Sequence, residues 1–212
     1  MTNSDALNDQ VSEIISRMSS LSAARDAAIN SSRAIVRSSA NAIRALHRGD
    51  NADSLLAEAR TLLDQIVAET TPFPSVYWAG FTQDAMKEYA EAVITKALLS
   101  GSDIPTPEEV GVEDTAWLNG LAEAASELRR DTLDALRRDD IDRAEALLSI
   151  MDLIYGQLVT IDFPDSITSG LRRTTDQFRG VLERTRGDVT MSVRQTRLER
   201  ALRDAERSIQ QG

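Results

Sequence analysis

Apolar residues recur at helical spacing along almost the whole chain, and nothing alternates at period two for long enough to form a strand. Residues 5–48 carry Leu7, Val11, Ile14, Ile15, Met18 and Leu21, then Ile35, Val36, Ile43 and Leu46. This spacing predicts a first helix longer than most globular helices, ended by Gly49-Asp50-Asn51. A second is predicted from Ala52 to about Glu69, with Leu55, Leu56, Leu62, Leu63, Ile66 and Val67 along one side. Pro72 and Pro74 break the pattern, because each disfavours helix at the residue before it. Ser75 caps a third helix to about Leu99. Residues 100–113 read as the one clear loop, with room for a helical turn at Pro107-Glu108-Glu109 behind Thr106 as N-cap. Further helices are predicted over 114–138, 141–162, 164–186 and, after Gly187-Asp188, 189–210. The expectation is an all-α, single-domain bundle of seven helices over residues 1–212, with ends at about 1–4 and 210–212 poorly ordered.

Composition agrees with close-packed helices. Hydrophobic residues make up 42% of the 212, which is enough for a core, but aromatics only 4%. There is no Cys, which excludes disulfides, thiolate metal sites and cysteine nucleophiles. The single His, His47, excludes a Glu-x-x-His di-iron centre and a His-rich zinc site within one chain. The net charge of −10 argues by itself against nucleic-acid binding. The cations are lopsided, however: two are Lys (Lys87, Lys96) and 22 are Arg. This balance suggests the salt-rich cytoplasm of a halophilic archaeon, where an acidic shell keeps proteins apart and a local Arg-lined face can still hold a phosphate backbone. The start, Met1-Thr2-Asn3-Ser4-Asp5, lacks the basic and apolar regions of a targeting signal. No run of about 18 apolar residues exists to span a membrane. A cytoplasmic location is expected.

Four carboxylates carry the candidate chemistry. Glu88 and Glu91 are spaced i,i+3 in Lys-Glu-Tyr-Ala-Glu-Ala, and Glu123 and Glu127 i,i+4 in Trp-Leu-Asn-Gly-Leu-Ala-Glu-Ala-Ala-Ser-Glu-Leu-Arg-Arg. Each pair shares one helix face, with Cβ atoms about 5–6 Å apart. Glutamates embedded among Ala, Leu and Val need their charge offset, most simply by a divalent cation. Lys87, Arg129 and Arg130 adjoin them in sequence but should point partly away.

The order of these motifs resembles the translin/Trax family. Ile43-Arg44-Ala45-Leu46-His47-Arg48 ends the long first helix; Lys-Glu-Tyr-Ala-Glu-Ala follows a Pro-punctuated turn; and Gly111-Val112-Glu113-Asp114 leads into the second acidic motif. The resemblance covers nearly the whole chain and is best over 86–93 and 111–130. It implies long antiparallel helices that bind single-stranded RNA and DNA, assembled as a homo-oligomer, an octameric hollow barrel. Trax-type subunits carry a metal-dependent endoribonuclease site. The resemblance places that site, with Mg²⁺ or Mn²⁺, on Glu88, Glu91, Glu123 and Glu127, as metal ligands and catalytic residues without separating their roles. Glu123 departs from the pattern, which has Asp there. The stretch before Glu88 departs too: no Lys, Arg or His lies between Arg60 and Lys87, where the family is usually basic. Tyr77 and Trp78 stand there instead and could bind nucleic acid by stacking on bases.

Each residue also has a structural reading. Any single Glu is more often a solvated or ion-paired helix residue. Arg44, His47 and Arg48 are RNA-contact candidates or a polar cap to the first helix. Arg172, Arg173, Arg179, Arg184 and Arg186 form a phosphate surface or, preferably, an ion-paired helix face. Trp117 reads as a packing anchor and Asp114 as an N-cap. Beside the endoribonuclease stand two other functions: a non-catalytic nucleic-acid-binding barrel, and a helical scaffold unrelated to nucleic acid.

Overall fold

The computed structural model describes residues 3–210. Among them are nine helices and no strand: α1 (Asn3–His47), α2 (Asp53–Thr70), α3 (Pro74–Tyr77), α4 (Gly80–Ser100), α5 (Pro107–Val110), α6 (Asp114–Arg137), α7 (Ile141–Leu158), α8 (Asp165–Thr168) and α9 (Leu171–Gln210). The all-α expectation holds. Of the ends expected to be poorly ordered, residues 1, 2, 211 and 212 lie outside the described residues, while 3, 4 and 210 are helical.

The helix count differs from seven for local reasons. The predicted third helix is split into α3, a single turn, and α4. The carbonyl of Val76 accepts from the Thr82 hydroxyl at 2.8 Å and the Ala79 amide at 3.2 Å, so it does not continue the ladder. The predicted sixth helix starts as the single turn α8 and stops at Ser169 (φ 52°) and Gly170 (φ 82°), two left-handed residues in succession. The expected break at Gly187-Asp188 does not occur: α9 runs through it. One interior Gly costs about 1 kcal/mol, and packing on both sides of it, at Thr185 and Val189, outweighs that.

The chain divides into two compact units, Met1–Val93 with Pro105–Trp117, and Ile94–Ile104 with Leu118–Gly212. In the first unit α2 packs on the C-terminal half of α1. Leu56, Ala59, Leu63, Ile66 and Thr70 form the buried stripe of α2, and Ile35, Ala42 and Ile43 are buried on α1. Ser38 donates to Glu58 at 2.8 Å across this pair. Gly49 ends α1 in the left-handed conformation (φ 75°), which lets the Asp50 amide reach back to Ala45 at 2.9 Å. The predicted turn at Pro107 is present as α5. Thr106 and Glu109 cap it reciprocally, and Arg60 of α2 donates to the carbonyls of Glu109 (3.3 Å) and Val110 (2.9 Å) at its far end.

In the second unit α7 packs along α9. Ala135, Ala144 and Val189 are buried with Leu136, Leu148 and Val193 against them. Phe178 is fully buried and meets Tyr155 edge-on, with ring centroids 6.2 Å apart. Asn119 is buried on α6 with both ends of its amide used: it donates to the Thr168 carbonyl (3.1 Å) and accepts from the Thr174 hydroxyl (2.7 Å). No helix of the described residues is long and apolar enough to cross a membrane.

Candidate functional site

In the first unit, Glu88 and Glu91 stand on α4, one helical turn apart. Each offers a carboxylate oxygen within 4.8 Å of the other's. Glu91 is only 9% exposed, and Ala90, Ala92 and Ile94 beside it are fully buried. Glu88 is half-buried and paired with the Lys87 ammonium at 3.2 Å. Lys87 therefore reaches its adjacent glutamate, contrary to the expectation that it points partly away; its long stem lets the ammonium fold back along the helix surface.

In the second unit, Glu123 and Glu127 stand on α6. Glu123 is half-buried among Ala122, Ala124 and Ala125, all fully buried. Glu127 lines an open groove of about 580 Å³ together with Arg130 and Arg137. Arg129 turns to α9, donating to the Thr185 hydroxyl (3.1 Å) and the Asp188 carboxylate (2.8 Å). The sequence pattern placed all four glutamates in apolar helix interiors, and each has at least one fully buried Ala or Leu within one turn of the helix.

Trp78 is 59% exposed and free to offer its ring to solvent. Tyr77 has a different situation. Its ring meets Trp78 edge-on at 5.0 Å, while its hydroxyl donates to the Glu113 carboxylate. Burial, then the hydrogen bond to Glu113 and its charge, push the Tyr77 hydroxyl up to about 12, so it stays a proton donor at all ordinary pH. Arg44 and Arg48 are exposed at the end of α1, and His47 is half-buried. Arg44 donates to Asn41 at 2.6 Å and Arg48 pairs with Asp50 at 2.8 Å. Arg44 and His47 lie in the last turn of α1, where cations complement the helix dipole. Of the basic residues on α9, Arg186 pairs with Asp152 of α7 and with Glu183; Arg172, Arg173, Arg179 and Arg184 are exposed. Trp117 anchors the loop by donating its indole N–H to the Pro105 carbonyl at 2.9 Å.

Sequence reasoning missed two residues that shape this region. Arg60 holds the end of α5 and lies within 3.0 Å of where a side chain on Gly111 would begin. Asp64 beside it raises the Arg60 pKa. Glu113 fixes Tyr77. The Gly at 111, two residues past a Thr-Pro-x-Glu cap, was the available signal that another side chain approaches closely.

The fold is shared with solved C3PO proteins. A structure described as AfC3PO in complex with duplex RNA matches at a TM-score of 0.79 and 34% identity, covering 86% of this chain and 96% of that one. The crystal structure of AfC3PO matches at 0.78 and the same identity. Apo-NeC3PO, at 21% identity, shows the same fold, with a TM-score of 0.74 over 91% of this chain and 98% of that chain. An uncharacterized protein of Methanocaldococcus jannaschii is 26% identical over 198 residues, spanning 92% of this chain and 88% of that protein. No family model matches. Fold and helix order thus define an all-helical protein of the C3PO type. At 34% identity across nearly all of AfC3PO, the chain belongs to the translin family.

Proposed function

We propose that this protein binds RNA and cleaves it with a divalent cation, Mg²⁺ or Mn²⁺, as a homo-oligomeric, octameric barrel of a salt-rich cytoplasm. The acidic pair on α4 carries this reading: Glu88 and Glu91 each offer one carboxylate oxygen, within 4.8 Å of the other's. Oxygen-only donors suit hard cations. When bound, such an ion supplies Lewis acidity, lowering the pKa of water and offsetting negative charge at phosphorus. Glu88 and Glu91 would hold it. Glu123 and Glu127 would serve as further ligands or accept the proton of the attacking water. Trp78 would stack on an unpaired base, worth about 1–3 kcal/mol per base and less sensitive to salt than phosphate contacts. Arg44, His47 and Arg48 would meet the RNA backbone.

The AfC3PO structure with duplex RNA supports RNA as the ligand class. Single strands are the expected substrate, so single-stranded and duplex RNA belong side by side in the test. Labelled RNA is incubated with Mn²⁺ and the native protein, with Glu91→Gln, and with a chelator, at low salt and at about 1 M salt, where exposed charges are screened within about 3 Å. Cleavage of the single strand by the native protein alone is the expected result. Binding without cleavage under every condition would leave a translin-type binding barrel without catalysis.

A further inference from the structure

We propose that the second unit holds a binding site for an organic dication, a linear diamine with ammonium groups at both ends of an apolar chain, where the end of α7 meets α8 and the start of α9. The proposal goes beyond the nuclease reading and involves neither RNA nor Glu88 and Glu91, so the two fail separately.

The backbone builds the site. α7 ends at Leu158, and the segment after it runs past Phe163 to Pro164, which opens the single turn α8. Ser169 and Gly170, both left-handed, then turn the chain directly into α9 at Leu171, and α8 packs against α9. These elements line an open cavity of about 750 Å³ within this unit. That volume lies in the range of small-molecule sites. Leu158 and Leu171, both buried, contribute apolar surface to it. Tyr155 contributes a ring held edge-on against the buried Phe178, and Phe163 a ring that is 62% exposed. A single exposed Phe needs no explanation, but aromatic rings beside carboxylates are the company that ammonium groups favour.

Thr175 points to a ligand. It lines the cavity, is only 8% exposed, and its hydroxyl has no hydrogen-bond partner. Two other buried threonines of this unit behave otherwise: Thr168 donates to the Pro164 carbonyl at 3.4 Å and Thr185 to the Val181 carbonyl at 2.8 Å. A buried hydroxyl without a partner is costly, and a donor arriving in the cavity would satisfy it.

Charge gives the class of that donor. Asp162, Asp165 and Asp176 line the cavity against one cation, Arg172. All are exposed, and among the described residues none of them makes an ion pair. Three carboxylates against one guanidinium leave two negative charges unmatched. The oxygens of the three carboxylates do not gather within 4.8 Å of one another, as they would to close on one metal ion. Separated carboxylates suit separated ammonium groups, with the hydrocarbon between them lying on Tyr155 and Phe163. An ammonium group has three N–H donors, enough for the Thr175 hydroxyl and a carboxylate together.

Isothermal titration of the native protein with putrescine, a linear diamine, tests this at low salt. One saturable site per chain is expected. Thr175→Val should keep the native dichroism and melt, because its hydroxyl has no partner to lose, while its Kd for putrescine rises about tenfold or more. The double variant Asp165→Asn, Asp176→Asn removes both unmatched charges and should weaken binding by about tenfold, as two exposed ion pairs would. A charge-matched control, Asp9→Asn with Glu69→Gln, both exposed in the first unit, should bind as the native protein does. No saturable heat, unchanged affinity in Thr175→Val, or equal weakening in the charge-matched control would overturn the proposal. Tighter binding of inorganic phosphate than of putrescine would overturn it too, by giving the site to Arg172 and an anion.

Discussion

Mn²⁺ should stabilise the native protein against heat, and replacing Glu91 by Gln should abolish that effect. Glu88 and Glu91 bring carboxylate oxygens within 4.8 Å of one another, and Glu91 is nearly buried. Two unit negative charges at that distance repel by about 1 kcal/mol in bulk water and about 3.5 kcal/mol at the effective dielectric near a protein surface. That is the scale of repulsion a divalent cation offsets. A ligand at one hundred times its dissociation constant stabilises by about 2.7 kcal/mol, and each kcal/mol moves the midpoint of a chain this size by about 2–4 °C, so saturation should raise Tm by about 5–11 °C. Calorimetry or dichroism of the native protein and of Glu91→Gln, each with Mn²⁺ and with chelator, reads the shift directly. The native protein should gain it and the variant should not. An equal shift in both proteins would refute the assignment of Glu91 as a ligand, and no shift in either would refute the metal site.

Trp78→Ala should weaken single-strand binding by about 1–3 kcal/mol with no loss of stability, read by filter binding and a melt; unchanged affinity would remove stacking from the scheme. Gly111→Ala should destabilise by more than the roughly 1–2 kcal/mol of a left-handed Ala, since its Cβ would also meet the Arg60 guanidinium at 3.0 Å, and a denaturant titration measures it. Phe178→Ala should cost about 3–5 kcal/mol in the same titration, because the ring is fully buried. The raised Tyr77 pKa favours the protonated native state, so its contribution is intact below about pH 10 and is lost as pH rises toward about 12. Tyr77→Phe should flatten stability across that window, and an unchanged alkaline slope would show that Glu113 does not hold the phenol in solution.

The helices were legible because period and punctuation agree along most of the chain. Gly49, Thr106 with Pro107, and the Asp139-Asp140 turn all act where they were expected, each through a backbone requirement that its residue type meets locally: a left-handed φ at Gly49 and Asp139, a side-chain cap at Thr106 and Asp140. Gly187 misled because its local preference was outweighed by packing at Thr185 and Val189, which no window around it reveals. The acidic pairs were legible from their apolar company. The role of Tyr77 was not, since its partner Glu113 is 36 residues away and only the folded loop brings the two together.

Both tryptophans, Trp78 and Trp117, belong to the same compact unit, and none lies in the other. The protein therefore carries a built-in spectroscopic division. Indole emission follows the first unit alone, through one solvent-exposed ring and one ring hydrogen-bonded to a backbone carbonyl, whereas far-ultraviolet dichroism sums the helices of both. Coincident transitions by the two signals would mark a single cooperative block. Emission lost ahead of ellipticity would mean that the half bearing Glu88 and Glu91 loosens first, while the half bearing Glu123 and Glu127 stays folded and dark.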